Sequence, residues 1–241
     1  MALPREQARP RADLFVSVQE TATMPRPHPQ SAPTALPRPT AIPYVVRRTD
    51  ELGVSETALT TRPKGGGLCY RGERPGDRDA HGALWARVSL SRGRGRPVFN
   101  EMHPARQRAC MESLLCQVCG QLASTTPQGT LFLDARPNRR PARWPEGHVT
   151  ALPPLCVTCV PVTVEQCHYF AHTRAVALRA RNVRPWGVGG ALYGPGPGGS
   201  VRPMGGDTVN VAYTHPYLRW VLASQTFVQL TCTTVINLAD L

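Results

Sequence analysis

Two Cys-x-x-Cys pairs, Cys116/Cys119 and Cys156/Cys159, are the residues whose types and spacing most clearly point to chemistry. Two thiolates at that separation grip one side of a tetrahedral Zn²⁺, and a second pair closes the site. Four sulfur ligands leave no open coordination position. One zinc per chain held this way stabilises a fold and does not polarise a substrate. The other cysteines read differently. Cys110 reads as core, and Cys69 and Cys232 have no partners in sequence. Cys167, His168 and His172 share one expected helix, and the two histidines, one turn apart, form a candidate metal pair or a polar face.

A second motif could touch nucleic acid. Arg94-Gly-Arg-Pro97 matches the core of an AT-hook, in which an extended Arg-Gly-Arg enters the narrow minor groove of A·T tracts. Arg94 and Arg96 are therefore candidate DNA contacts, and a plain turn between a strand and a helix fits the same residues. The Gly194–Gly199 run lacks the Gly-Lys-Ser/Thr of a phosphate loop.

The elements that must position these residues follow from pattern. In Leu84–Leu90 apolar residues alternate, as in a strand with one buried face. A helix is expected from His103 to Leu115, capped by Asn100 or His103, with Pro104 in its first turn and Cys110, Met111, Leu114 and Leu115 as the buried stripe. Thr130–Asp134 reads as a strand, and Pro161 starts a second helix. Strands are expected at 175–183, 187–193, 209–213 and 233–237, with a third helix opening at Pro216 and burying Leu218, Val221, Leu222 and Val228. Nine prolines from Pro4 to Pro43 forbid regular structure there, so residues 1–80 read as a disordered, Pro-rich tail. The ordered unit then runs over 84–241, with the zinc-bearing core at 103–172. The class is α+β, a short-stranded sheet with three helices.

Composition sets the outer bounds. The chain has 241 residues, 41% of them apolar, which is enough for a core, and 25 prolines and 21 glycines, which demand much loop. The net charge is +12, and of 28 basic residues only Lys64 is a lysine. Arginine without lysine is the codon bias of a GC-rich genome of the actinobacterial kind. The charge is spread along the chain, which suits loose, salt-sensitive binding to a polyanion or simply a solvated surface. No run is long and apolar enough to span a membrane, and no secretory leader is visible, so the expected setting is the cytoplasm, where clustered thiols are metal ligands more often than disulfides.

The stretch Leu115-Cys-Gln-Val-Cys-Gly120, the strand Leu131-Phe-Leu-Asp134 and Ala151-Leu-Pro-Pro-Leu-Cys-Val-Thr-Cys159 at the head of a helix together resemble the treble-clef zinc modules, and within them the HNH endonucleases. That resemblance implies a general-base His after the strand's Asp and a metal-binding His or Asn after the second Cys pair. Ala135 and Val160 stand there instead. Neither can take a proton or a metal, so no catalytic residue is assigned. His148 and Asp134 are the fallback candidates for a rearranged site. The expected function is a non-catalytic, zinc-stabilised interaction protein binding DNA, RNA or a protein. The alternatives are a metal-dependent nuclease with a migrated site, and an accessory or tailoring protein of a biosynthetic pathway with a pocket in the Gly-rich C-terminal region.

Overall fold

The computed structural model describes residues 39–91, 93–135, 142–171 and 174–241. In chain order the strands and helices are β1 (Val46–Arg48), β2 (Leu59–Thr61), β3 (Leu68–Tyr70), β4 (Leu84–Trp85), β5 (Pro97–Met102), α1 (Pro104–Glu112), β6 (Thr125–Thr126), β7 (Gly129–Ala135), β8 (His148–Thr150), α2 (Val160–Gln166), α3 (His168–Ala171), β9 (Ala175–Pro195), β10 (Val201–Ala212) and β11 (Val221–Ile236). The class is mixed α+β and mostly sheet. Only α1 and α2 exceed one helical turn. No helix among the described residues is long and apolar enough to cross a membrane.

A seven-stranded sheet organises the molecule in the order β4-β11-β9-β7-β6, with β10 also paired to β9 and β8 to β11. The antiparallel β9–β11 pair is its spine, running from Val221↔Leu192 to Ile236↔Ala177. This overturns the expected helix at Pro216–Val228. Leu218, Val221, Leu222 and Val228 do recur at helical spacing, but Val, Thr and Phe through 226–236 favour a pleated surface. The long partner β9 offers that surface across its full length. Only Pro216–Trp220 turns helically, as a 3-10 segment leading into β11.

β7 is buried on both faces, which is why it reads as a short apolar run. Leu131 and Leu133 join Leu155, Val160, Phe170 and Ala177 around Cys116 and Cys159. Phe132 points the other way, to Met111, Leu178, Val228 and Leu230. One strand therefore supplies a wall to the cysteine cluster and a wall to the core beneath α1.

Helix α1 starts where expected, with His103 at the cap position and Pro104 after it, but it ends at Glu112. Leu114, in a left-handed conformation at φ 49°, lies beyond it. Polar side chains dock the helix. Gln107 donates from Nε2 to the carbonyls of Ala151 (2.8 Å) and Thr226 (2.9 Å) and accepts from Thr226 N (3.0 Å). Arg106 makes a two-pronged ion pair with Glu51, at 2.6 and 2.7 Å, with both side chains buried.

That ion pair marks a correction to the tail reading. Residues 1–38 lie outside the described structure, yet order begins well before Leu84. β1 pairs with β5, and β2 pairs with β3. Val45, Val46, Leu59, Leu68 and Tyr70 are buried. The nine prolines end at Pro43, and the short strands after it carry little periodicity of their own. They are strands because distant residues pair with them. The expected strand at Leu84–Leu90 shrinks to Leu84–Trp85. Beyond it the chain switches partners: Ala86 N donates to Ala223 O, and Ser89 N to Leu52 O.

Burial pushes the Glu51 carboxyl up, but the Arg106 guanidinium and the N–H groups of Arg48 and Ser91 prevail and hold it down at about 2. A carboxyl lowered on folding adds stability above its unfolded pKa and loses it as pH falls toward its folded value. The contribution should therefore fade between pH ~4.5 and ~2. Arg106→Ala, which strands the buried carboxylate, should cost ~3–5 kcal/mol in urea unfolding at pH 7. The loss should shrink when the same titration is run near pH 3. A loss below ~1 kcal/mol at pH 7 would contradict the role given to the pair.

Candidate metal centre

The chain turns sharply after α1 to present the first cysteine pair. Leu115 N bonds to Cys110 O (2.9 Å), Cys116 N to Gln121 O (2.6 Å) and Gly120 N to Cys116 O (2.8 Å), closing a tight loop. Gly120 sits at φ +72°, and a Cβ there would lie 3.0 Å from the Tyr44 ring. The positive φ favours glycine here, and the Tyr44 ring leaves little room for a Cβ. The second pair arrives along a short ladder in which Leu155 N donates to Leu131 O and Ser124 N to Leu155 O, both at 2.9 Å. Cys156 and Cys159 then flank a 3-10 turn that runs directly into α2. Thr163 Oγ1 donates to Cys159 O (2.7 Å) and fixes that helix head.

This brings Sγ of Cys116, Cys119, Cys156 and Cys159 within 4.8 Å of one another. Cys119 and Cys156 are 3.8 Å apart. A tetrahedron with Zn–S bonds of ~2.3 Å has edges of ~3.8 Å, which the Cys119–Cys156 pair matches, and all four sulfurs lie close enough together to share one ion. Among the described residues this is the one cluster of three or more His, Cys, Asp or Glu able to hold a metal ion. Cys116 and Cys159 are buried, Cys156 is half-buried and Cys119 is exposed.

The sulfurs also show what an ion would do. Burial works to raise the Cys116 thiol, but N–H groups of Cys119, Cys156 and Val118 aimed at its sulfur bring it below the ordinary value. Burial and the neighbouring sulfurs push Cys119 and Cys159 up. Clustered thiols resist sharing several negative charges. A divalent cation removes that resistance and deprotonates its ligands outright.

A strap unforeseen in the sequence braces the centre. Tyr44 N donates to Val118 O (2.8 Å) and Val45 N to Gln117 O (3.1 Å). Farther along the chain direction of α2, Thr40 N donates to Gln166 Oε1 (2.9 Å). Residues 40–45 thus hold the first cysteine loop and the end of the helix that follows the second. The only signal for them in sequence was a Tyr-Val-Val run just past the prolines.

The remaining candidates are dispersed. His148 Nε2 and Asp134 Oδ2 do meet, at 2.9 Å. Alternation along β7 places Asp134 on the opposite face from Leu131 and Leu133, turned away from the cysteines. Ala135 ends β7, and Val160 is buried in the apolar cluster around Cys116. Arg94 and Arg96 lie in the turn before β5. There Thr49 N donates to Arg96 O and Arg96 N donates to Thr49 Oγ1, both at 3.0 Å. Entering a minor groove as an extended strand would require breaking both bonds. His172 and the His168 side chain lie outside the described residues. Cys110 is buried beneath the site with its thiol pushed up to about 12 by burial, and Cys69 is buried as well. Cys167 packs against the apolar cluster, and Cys232 is exposed.

Comparison with protein-family models, with curated proteins and with solved structures finds no match to this chain. What the centre does must therefore be read from its own geometry.

Cys116→Ser or Cys159→Ser should abolish stoichiometric metal binding, read by elemental analysis of the purified chain. Each should also lower the melting temperature sharply, because a structural metal contributes ~10 kcal/mol or more against a net stability of ~5–15. Cys110→Ala, which alters the core but not the ligand set, should keep one equivalent of metal. Loss of metal in that variant alone would reassign the ligands.

Proposed function

We propose that the chain is a non-catalytic binding protein built on a structural zinc centre of treble-clef type, with a polyanion, DNA or RNA, as its partner. The observation that carries the first half is the four-sulfur cluster itself. Thiolate ligands at tetrahedral spacing select zinc among abundant divalent ions and leave it no open position for substrate. The order of parts favours a treble clef: a cysteine loop, the β6–β7 hairpin, then a second cysteine pair at the head of a helix. Bound zinc would supply folding energy at Cys116, Cys119, Cys156 and Cys159 and nothing else. A reducing compartment such as the cytoplasm would keep these thiols available.

The second half rests on charge and on one feature of the sheet. β7 pairs with β9 from Ala175 to Ala180, and β10 pairs with the same edge from Gly187 to Pro195. Between them, among the described residues, no strand pairs with that edge at 181–185. Arg181, Asn182 and Arg184 are exposed there. On a chain of net charge +12, two guanidiniums flanking an open strand edge, one from each face of the sheet, support a phosphate-backbone partner.

One observation favours a second reading, the 2.9 Å His148–Asp134 pair, which has the form of an oriented general base. A nuclease also needs an electrophile at the leaving oxygen. Among the described residues no third His, Cys, Asp or Glu joins this pair to make a metal site. The pair is better explained as a clamp between β7 and β8. The pathway-accessory reading has no observation in its favour: the Gly-rich stretch lies in and between β9 and β10. A Cβ at Gly187 would lie 2.0 Å from Val211 O, so these glycines serve close strand approach.

Duplex or single-stranded oligonucleotides should be retained in a mobility-shift assay with an affinity that falls steeply with salt. Arg181→Glu/Arg184→Glu should weaken retention and reduce the salt slope by about 2. Plasmid and oligonucleotides should stay intact with Mg²⁺ or Mn²⁺. Cleavage abolished by His148→Ala would replace this reading with the nuclease. Retention of neither DNA nor RNA at low salt would leave a protein as the partner.

A further inference from the structure

The metal centre is lopsided, and its lopsidedness has a chemical consequence. Cys116 is fully buried and Cys159 is 9% exposed, whereas Cys119 is open to solvent and Cys156 half so. The two accessible sulfurs belong to different loops, and they are 3.8 Å apart. We infer that Cys119 and Cys156 form a peroxide-reactive pair that closes into a disulfide and releases the metal, making the centre a reversible redox clasp. This rests on the proposed reading that the four sulfurs hold zinc.

Zinc has no redox chemistry of its own, so an oxidant meeting the centre must react at sulfur. Zinc also keeps its ligands as thiolates, the nucleophilic form, even where a free thiol would stay protonated. Access then decides which sulfur reacts first. The exposed Cys119 sulfur attacks a peroxide oxygen; the O–O bond breaks, and Cys119 becomes a sulfenic acid as water leaves. The Cys156 sulfur attacks that sulfenic sulfur; the S–O bond breaks, a second water leaves and the S–S bond forms. Two electrons pass from the two thiolates to one peroxide, and two protons taken up from solvent complete the waters. A disulfide is ~2.0 Å long, so the sulfurs close a gap of ~1.8 Å. Cys116 and Cys159 alone would then be left to hold a zinc ion, too few to retain it.

Cys116 is protected by burial. The choice of pair matters for the fold. A bond within one loop would cut the link between Cys116–Cys119 and Cys156–Cys159. A Cys119–Cys156 bond ties the same two loops that the metal tied. The strap from Tyr44 and Val45 to the first loop, and the apolar cluster around Cys159, then keep their anchor. Oxidation should swap one cross-link for another without unfolding the module.

The test uses the full chain as purified under reducing conditions, with a chromogenic chelator reporting free zinc. A mercurial, which displaces metal from every thiolate, should release one equivalent. Hydrogen peroxide should release the same equivalent, peptide mapping should find the Cys119–Cys156 disulfide, and far-UV circular dichroism should hold. Dithiothreitol with Zn²⁺ should then restore the starting protein. Cys232→Ser, which removes the other exposed cysteine, should leave the release unchanged. Zinc that is freed by the mercurial but stays bound when peroxide has oxidised Cys232 would overturn the inference and spare the zinc reading. So would a disulfide mapped to Cys116–Cys119 or Cys156–Cys159. No release by the mercurial would remove the zinc reading and the inference together.

Discussion

Four sulfurs gathered within 4.8 Å are the constraint on which the rest of this structure turns. They come from two loops separated by a hairpin, and side chains alone would not hold them there. Without an ion the cluster gains little, because thiols whose ionisation burial and neighbouring sulfurs oppose stay neutral and form no strong contact across the two loops. The surrounding architecture makes sense as a frame for that cluster: a hydrogen-bonded turn at Gly120, a backbone ladder through Leu131 and Leu155, and a helix anchored at Cys159. β7 conveys the frame outward. Its Leu131 and Leu133 close the cysteine side, and its Phe132 begins the second core, so the centre and the sheet cannot be packed independently.

A second frame meets the first through α1. Its inward side is held by Gln107 on the sheet backbone and by Arg106 on Glu51, not by a continuous apolar stripe. Such contacts are directional. They set the rotation of the helix, and thereby the direction in which the chain leaves it for Cys116. A buried ion pair adds little net stability compared with an apolar pair, but it is costly to break. The same pair ties the N-terminal strands to the core, alongside the backbone bonds from Tyr44 and Val45 to the cysteine loop.

The parts of this molecule that were legible in the sequence are those governed by local rules. The clustering of the four cysteines follows from their spacing, the start of α1 from Pro104, and β7 from a compact apolar run between turn residues. What escaped depends on distant partners. The first half of β11 reads as a helix because Leu218, Val221, Leu222 and Val228 have helical spacing, and only the long strand β9 favours the extended form; its end at 233–236 reads as the strand it is. Residues 44–80 looked like tail because β1–β3 are three residues each and owe their order to strands and side chains far along the chain. The Glu51–Arg106 pair spans such a separation and leaves no mark in sequence. The basic edge at Arg181 and Arg184 exists only because β7 and β10 stop short of each other.

X-ray absorption at the zinc edge of the purified protein tests the central claim most directly. The account predicts a first shell of four sulfurs at ~2.3 Å and no nitrogen or oxygen. A shell of three or fewer sulfurs completed by nitrogen or oxygen would contradict it, since that centre would keep a position open to substrate and its role could no longer be purely structural.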